Sequence, residues 1–240
     1  MLILAFDTTH PDGGAGLYRD TESLGEVRAR GKVNYSVALF EMVDQLLADA
    51  GLRLADVELF AAATGPGSFT GIRVGLAAAQ GWTKGVGRPV RGVSVLEAMV
   101  EAAQPQGRSV VPLLDARRGE FYLGVFRQNV PPDAGSRGRE FLLSGEGLVL
   151  GAARIAALAD ELIGHGEPGV EFIAREGDQT VLELASHLPA TLKWTMAPSF
   201  QAAAIARVAL RAARDGRLQQ PEELDAWYIR RSDAELNWRE

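Results

Sequence analysis

The residues best suited to chemistry fall in three short stretches. Asp7-Thr8-Thr9 follows the apolar run Leu2 to Phe6. A carboxylate and two hydroxyls at the carboxyl end of a strand could hold a phosphate or magnesium, and are equally the side chains of a hydrogen-bonded turn. Gly65-Pro66-Gly67-Ser68-Phe69-Thr70-Gly71-Ile72-Arg73 supplies flexible backbone, two hydroxyls and a helix N-terminus, which together could seat an anion. It is not a P-loop: the Gly-Lys-Ser/Thr ending is missing and the nearest lysine is Lys84. Its glycines would also serve close packing at a strand-to-helix corner. Asp115-Ala116-Arg117-Arg118-Gly119-Glu120 places two arginines in a sharp turn, where they could meet an anion or clamp Asp115 or Glu120. The candidate anion cleft, read as vestigial, therefore comprises Asp7, Thr8, Thr9, Gly65, Gly67, Ser68, Thr70, Asp115, Arg117 and Gly119.

Other chemistries lack their residues. The histidines, His10, His165 and His187, show no i, i+4 pair that would put two imidazoles on one helical face, and cysteine is absent. No metal site is expected. No Gly-x-Ser-x-Gly elbow is present, so a serine-hydrolase reading has no nucleophile. With a formal charge of −6 the chain is not expected to grip nucleic acid alone, because phosphate binding needs a basic face. At 47% apolar and 23% charged residues, composition is that of a folded globular protein. No apolar stretch approaches the ~18 residues of a membrane span, and the first residues lack a basic n-region, so a cytoplasmic protein is expected.

The elements that would position these residues follow from periodicity and caps. Leu2 to Phe6, Ala15 to Tyr18 and Leu24 to Ala29 read as three short antiparallel strands. Ser36 is an N-cap candidate for a helix to about Ala50, closed by Gly51. Leu59 to Thr64 reads as a buried strand, Gly71 to Lys84 as a helix, Val90 to Val93 as a strand, and Ser94 as the cap of a helix to Ala103. Three strands, helix, strand, helix, strand, helix is the order of a ribonuclease H-like half-unit. A second half begins comparably with Val110 to Leu114, Glu120 to Phe126 and Glu140 to Ser144. It then degrades, leaving a helix near Ala152 to Asp160 and a long Ala-rich helix from Ser199 to Ala213. The expected fold class is α/β, an actin-like, two-lobed fold with mixed sheets. The expected domains are 1–104, a degenerate 105–198, and a helix and tail, 199–240, packing back on the first lobe.

Taken together, these motifs resemble the bacterial TsaB (YeaZ) family. The matching pieces are Asp7-Thr8-Thr9, Asn34-Tyr35-Ser36, Thr64 to Arg73, Asp115 to Tyr122 and Tyr228-Ile229-Arg230. The family has His where Tyr35 stands and Pro where Ala226 stands. The resemblance implies a role in threonylcarbamoylation of adenosine 37 in tRNAs reading codons that begin with A. It implies a TsaD-like paralogue as partner, which holds metal, donor and tRNA, and a TsaE-like ATPase. The chain itself would be a non-catalytic scaffold needing no cofactor, with ATP and magnesium entering through the complex, and a homodimer in isolation. The competing reading is an active actin-fold phosphotransferase with magnesium on Asp7 and Asp115. A metallopeptidase, suggested by an old family label, has no ligands.

The helices 36–50 and 71–84 are the expected partner surface, as the resemblance also implies. Apolar residues cover about 160° of the first, more than the ~100° stripe that one core contact needs. In the second, Gln80, Arg73 and Lys84 cluster within about 40°, leaving the rest apolar or small. The expected interface residues are Tyr35, Leu39, Phe40, Val43, Leu47, Gly71, Val74, Gly75, Ala78 and Trp82, with the small Gly71-Gly75-Ala78 edge admitting a neighbouring helix.

Overall fold

A computed structural model describes residues 1–29, 31, 33–129, 140–164 and 169–230. In chain order the elements are β1 (Leu2–Asp7), β2 (Gly14–Arg19), β3 (Glu22–Arg28), α1 (Tyr35–Asp49), β4 (Leu59–Ala63), α2 (Phe69–Val86), β5 (Val90–Val93), α3 (Val95–Ala103), β6 (Ser109–Asp115), β7 (Glu120–Leu123), β8 (Phe126–Asn129), β9 (Glu140–Leu143), β10 (Leu148–Gly151), α4 (Ala152–Gly164), β11 (Val170–Arg175), α5 (Gln179–His187), β12 (Lys193–Ala197) and α6 (Ala202–Arg214). They form two compact units. One is Met1–Ala98 with the described residues from Ser199 onward, and the other is Met99–Pro198.

In the first unit the sheet order is β3-β2-β1-β4-β5. β1, β2 and β3 are antiparallel, whereas β1, β4 and β5 run parallel. The central β1 is buried along its whole length, which is why its sequence is a continuous apolar run rather than an alternating one. Leu2, Leu4 and Phe6 pack with α1 and α2, and the alternate residues face α6, which lies along β1, β2, β4 and β5. Alanines at 202, 204, 206, 209 and 212 are buried and let α6 approach the sheet closely.

The second unit repeats this topology. Its order is β10-β7-β6-β11-β12, with β6-β7-β10 antiparallel and β6-β11-β12 parallel, and the β8-β9 hairpin extends from β6. α4 and α5 supply Ile155, Ala159, Leu162, Val181 and Leu184 to a core on Val111, Leu113, Phe172 and Ala174. Two copies of the ribonuclease H-like order make the chain an actin-like α/β protein. The elements beyond Leu143 that the sequence patterning leaves unassigned, β10, β11, α5 and β12, complete the second copy.

Several boundaries shift for local reasons. α1 starts at Tyr35, because Asn34 rather than Ser36 is its cap: Asn34 Oδ1 accepts from Ser36 N at 3.2 Å and Ser36 Oγ at 2.8 Å. α2 starts at Phe69 under Ser68, whose Oγ accepts from Gly71 N at 3.2 Å. The run 120–126 divides into β7 and β8, and α6 begins at Ala202. Residues 130–139, His165 and the end of the tail lie outside the described residues.

The second sheet buries charge on β11, at Glu171 and Arg175. Glu171 of β11 is 1% exposed and accepts from Gln106 N and Gly107 N, both at 2.9 Å, from Lys193 Nζ at 3.0 Å, and from Thr195 Oγ1. Burial alone would raise its pKa, but the four donors outweigh it and hold the carboxyl below its ordinary value. A depressed folded-state pKa gives stability that is complete above the unfolded value and is lost as pH falls through the folded one. Glu171→Gln should therefore cost about 1–3 kcal/mol at neutral pH, the penalty of mismatching buried donors. In urea titrations at successive pH values, the gap between wild type and variant should close below the ordinary Glu pKa. A gap constant to the lowest pH at which both fold would show that Glu171 is not the titrating group.

Candidate functional site

At the end of β1 the Asp7 side chain is fully buried. Its Oδ1 accepts from Thr9 N at 2.8 Å and Thr9 Oγ1 at 2.7 Å, a turn closed by its own side chain. Its Oδ2 is buried without a hydrogen-bond partner among the described residues. The loop after β4 lies directly on this turn: Ser68 N donates to Thr9 O at 2.8 Å, and a Cβ on Gly67 would meet Thr9 Cβ at 2.7 Å. Asp7, Thr8, Thr9, Gly67 and Ser68 are thus brought together. The glycines serve close packing, and the Ser68 hydroxyl caps α2. Thr70 stands exposed in the first turn of α2, and Gly65 accepts from Val95 N at 2.7 Å.

Thr8 fixes the rotation of α2. Its Oγ1 donates to Gly71 O at 2.7 Å in a buried contact. A Cβ at Gly71 would collide with Thr8 O, and one at Gly75 would lie 2.5 Å from Thr8 Oγ1. Both glycines therefore face their own sheet. The small edge that the helical wheel offered to a neighbouring helix is taken by β1, and Gly71 and Gly75 leave the interface set. Leu39, Val43 and Leu47 leave it too, being buried in the first core. Tyr35 is also turned inward, with its hydroxyl donating to His10 O at 2.7 Å, and burial, with the Asp7 charge nearby, pushes its pKa up.

What remains open on α1 and α2 is a different apolar face. Ser36, Phe40, Val74, Ala77, Ala78, Gly81 and Trp82 line a shallow groove of about 280 Å³. Phe40 is 44% exposed and meets Trp82 edge-on at 5.3 Å, while Trp82 is anchored from beneath by Phe6 at 5.5 Å. Of the interface residues expected from sequence, Phe40, Val74, Ala78 and Trp82 line this groove.

In the second unit Asp115 ends β6 as Asp7 ends β1. Its Oδ1 accepts from Arg117 N at 2.7 Å, and Thr180 Oγ1 donates to its Oδ2 at 3.4 Å. Arg117, Arg118 and Gly119 all have positive φ, at 64°, 57° and 74°, so the turn is a tight left-handed one. The Arg117 backbone, not its guanidinium, meets Asp115. Asp178, which the motif search passes over, accepts from Asp115 N at 3.1 Å and caps α5 through Val181 N at 3.2 Å. An Asp three residues before Val181 at the start of an apolar helical period is an N-cap signature that could have flagged it. No group of three His, Asp or Glu side chains able to hold a metal occurs among the described residues. For the magnesium and nucleotide usual in this fold, the described residues offer one buried, unpartnered carboxylate oxygen at Asp7 and no cluster of three His, Asp or Glu.

The class of protein is thus an actin-like one built from two ribonuclease H-like copies. Its sequence matches, over residues 29–227, the family model described as TsaD, tRNA N6-adenosine threonylcarbamoyltransferase. The chain belongs to this family, on its TsaB (YeaZ) side. It is 39% identical over 140 residues to the tRNA threonylcarbamoyladenosine biosynthesis protein TsaB of Haemophilus influenzae, covering 56% of this chain and 58% of that protein. It is 30% identical over 255 residues to the tRNA N6-adenosine threonylcarbamoyltransferase of Thermus thermophilus, covering 90% of this chain and 77% of that one. The chain spans little more than half the length of the curated TsaB proteins it matches. A crystal structure from Pseudomonas aeruginosa, described as similar to the peptidase YeaZ, superposes with a TM-score of 0.72 at 25% identity, covering 95% of this chain and 99% of that one. No helix among the described residues is long and apolar enough to cross a membrane.

The rotation of α2 can be checked by stability. Gly75→Ala gains about 1 kcal/mol of helix propensity, yet must displace Thr8. A net loss of about 1–3 kcal/mol is expected, as overpacking produces. Ala77→Glu, on the open face, should stay within about 0.5 kcal/mol of wild type. Equal stability of the two variants in chemical denaturation would refute this orientation.

Proposed function

We propose that the chain is a non-catalytic partner subunit in threonylcarbamoylation of adenosine 37 of tRNAs reading codons that begin with A. It acts with a TsaD-like paralogue and a TsaE-like ATPase, and meets tRNA only through that complex. The observation that carries the reading is the open apolar groove of α1 and α2, with Phe40 half exposed over Trp82 in an otherwise acidic protein. A helix face of this kind fits the apolar helices of a related subunit. In isolation the same face would pair two copies of this chain in a homodimer. The scaffold role is supported by the Asp115 turn, whose carboxylate oxygens are engaged by the chain's own Arg117 and Thr180. The family match and the TsaD and TsaB relatives support the pathway.

One observation favours a second reading, an ATP-dependent phosphotransferase: the unpartnered Oδ2 of Asp7. ATP turnover by the chain alone that vanishes in Asp7→Ala would select it.

The test of the first reading is co-expression with the cognate TsaD-like protein. Wild type should co-elute in size-exclusion chromatography. Phe40→Glu, which places a charge in the groove, should weaken binding at least about tenfold with an unchanged melting temperature, as loss of an aromatic anchor does. The chain alone should show no peptidase activity and only weak, salt-sensitive binding of tRNA. Failure of wild type to associate, or full binding by Phe40→Glu, would overturn the docking face.

A further inference from the structure

The polar stripe of α2, Arg73, Gln80 and Lys84, keeps its two cationic side chains exposed but does not face solvent alone. It is the seat of the chain's own tail. Following α6, the tail first pairs with the outer edge of β5: Val90 N donates to Gln219 O at 3.1 Å, Gln219 N to Val90 O at 2.9 Å, and Gly92 N to Gln219 Oε1 at 2.8 Å. It then runs along α2 in the opposite direction. Lys84 Nζ lies 3.1 Å from Glu222 Oε1, Gln80 Nε2 donates to Leu224 O at 3.0 Å, and Arg73 Nε donates to Tyr228 Oη at 3.2 Å. Leu224 is buried over β5, where a Cβ on Gly92 would lie 2.8 Å from its Cδ1. Trp227 N donates to Thr64 O at 2.9 Å, tying the tail to the start of the Gly65–Ser68 loop. At the far end Tyr228 lies 5.3 Å from Phe69, and the Arg73 guanidinium stacks on that ring at 3.9 Å.

These contacts divide α2 into three arcs: Gly71 and Gly75 to the sheet, Arg73, Gln80 and Lys84 to the tail, Val74, Ala77 and Trp82 outward. We infer that residues 219–228 are a latch that positions α2, and that partner docking on the outward arc depends on the latch being closed. The inference rests, for its partner, on the proposed function. Physically, the exposed pairs of the latch are individually weak. Pro221 and Leu224 anchor the segment as buried side chains, whereas Tyr228 at its far end is 42% exposed. The segment is therefore poised to open at its Tyr228 end, next to the first turn of α2, well before the unit unfolds. A docking helix that needs α2 at a fixed tilt binds only the closed population, and its apparent affinity falls with that fraction.

The test uses the full chain with Arg73→Ala/Tyr228→Ala, neither of which lines the groove, and Tyr228→Phe, which keeps the Phe69 contact and loses only the Arg73 bond. Hydrogen exchange is followed over 217–228 and 69–84, and affinity for the TsaD-like partner is measured alongside. In the double variant, exchange should rise about tenfold in 219–228 and in the first turns of α2, with β1 and β4 unchanged, and the partner Kd should weaken about tenfold. Tyr228→Phe should fall between the double variant and wild type. Unchanged exchange in 69–76, or an unchanged Kd with the tail released, would overturn the latch. Should wild type itself not bind the partner, the proposed function fails instead, and the exchange of α2 alone decides the latch.

Discussion

The missing side chains at positions 71 and 75 determine much of the first unit. Thr8 sits where Cβ atoms on α2 would otherwise be, and its hydroxyl is spent on Gly71 O. Glycine inside a helix costs about 1 kcal/mol at each position. Burial of Ile72, Leu76 and Ala79 against the sheet offsets this, at about 1.5–3 kcal/mol for each of the larger side chains. Packing wins, and with it the azimuth of the helix is fixed. Every other assignment on α2 follows from that angle, including which residues meet the tail and which are left for something outside the unit.

The first unit was legible in sequence to the extent that its signals were local. Strands of apolar run, Gly51 as a stop and the Asp7 turn are all decided by neighbours in the chain, as are the Ser68 cap and Gly87 stop of α2 that the pattern reading passed over. The azimuth of α2 was not, because a small-residue edge looks the same whether it faces its own strand or another molecule. Tyr35, Leu39, Val43 and Leu47 were assigned outward for the same reason: a helical wheel gives the width of an apolar arc, not which part of it the sheet takes. The sequence led us to expect the tail to pack back on the first lobe, but not its pairing with β5 and α2, because those partners lie more than 120 residues away and nothing in Gln219 to Tyr228 has a period.

The second unit was harder to read because its strands carry charges where apolar runs were expected. Glu171 and Arg175 interrupt β11, and both are buried. A carboxylate inside a strand argues against burial until its donors are seen, and those come from a loop at 106–107 and the next strand. Polar satisfaction is a tertiary property, and a pattern search that scores residues singly discards such a strand.

The two copies also show how one position can be put to different uses. Asp7 and Asp115 each end the first strand of a copy, and each folds its following residues around one oxygen. After Asp7 the turn is made by the amide and the hydroxyl of Thr9, and the second oxygen stays buried without a partner among the described residues. After Asp115 it is made by two non-glycine residues in the left-handed region, a conformation costing about 1–2 kcal/mol each. It is held by Ala116 N on Glu120 O at 2.9 Å and Glu120 N on Arg117 O at 3.1 Å. A loop meant to bind phosphate must present its amides outward, as nests do. Here the amides of Ala116, Arg117 and Glu120 are all turned inward onto the chain itself. Fold alone would assign the two aspartates one role; their hydrogen-bond partners separate them, and it is in those partners that any difference in function between the copies must lie.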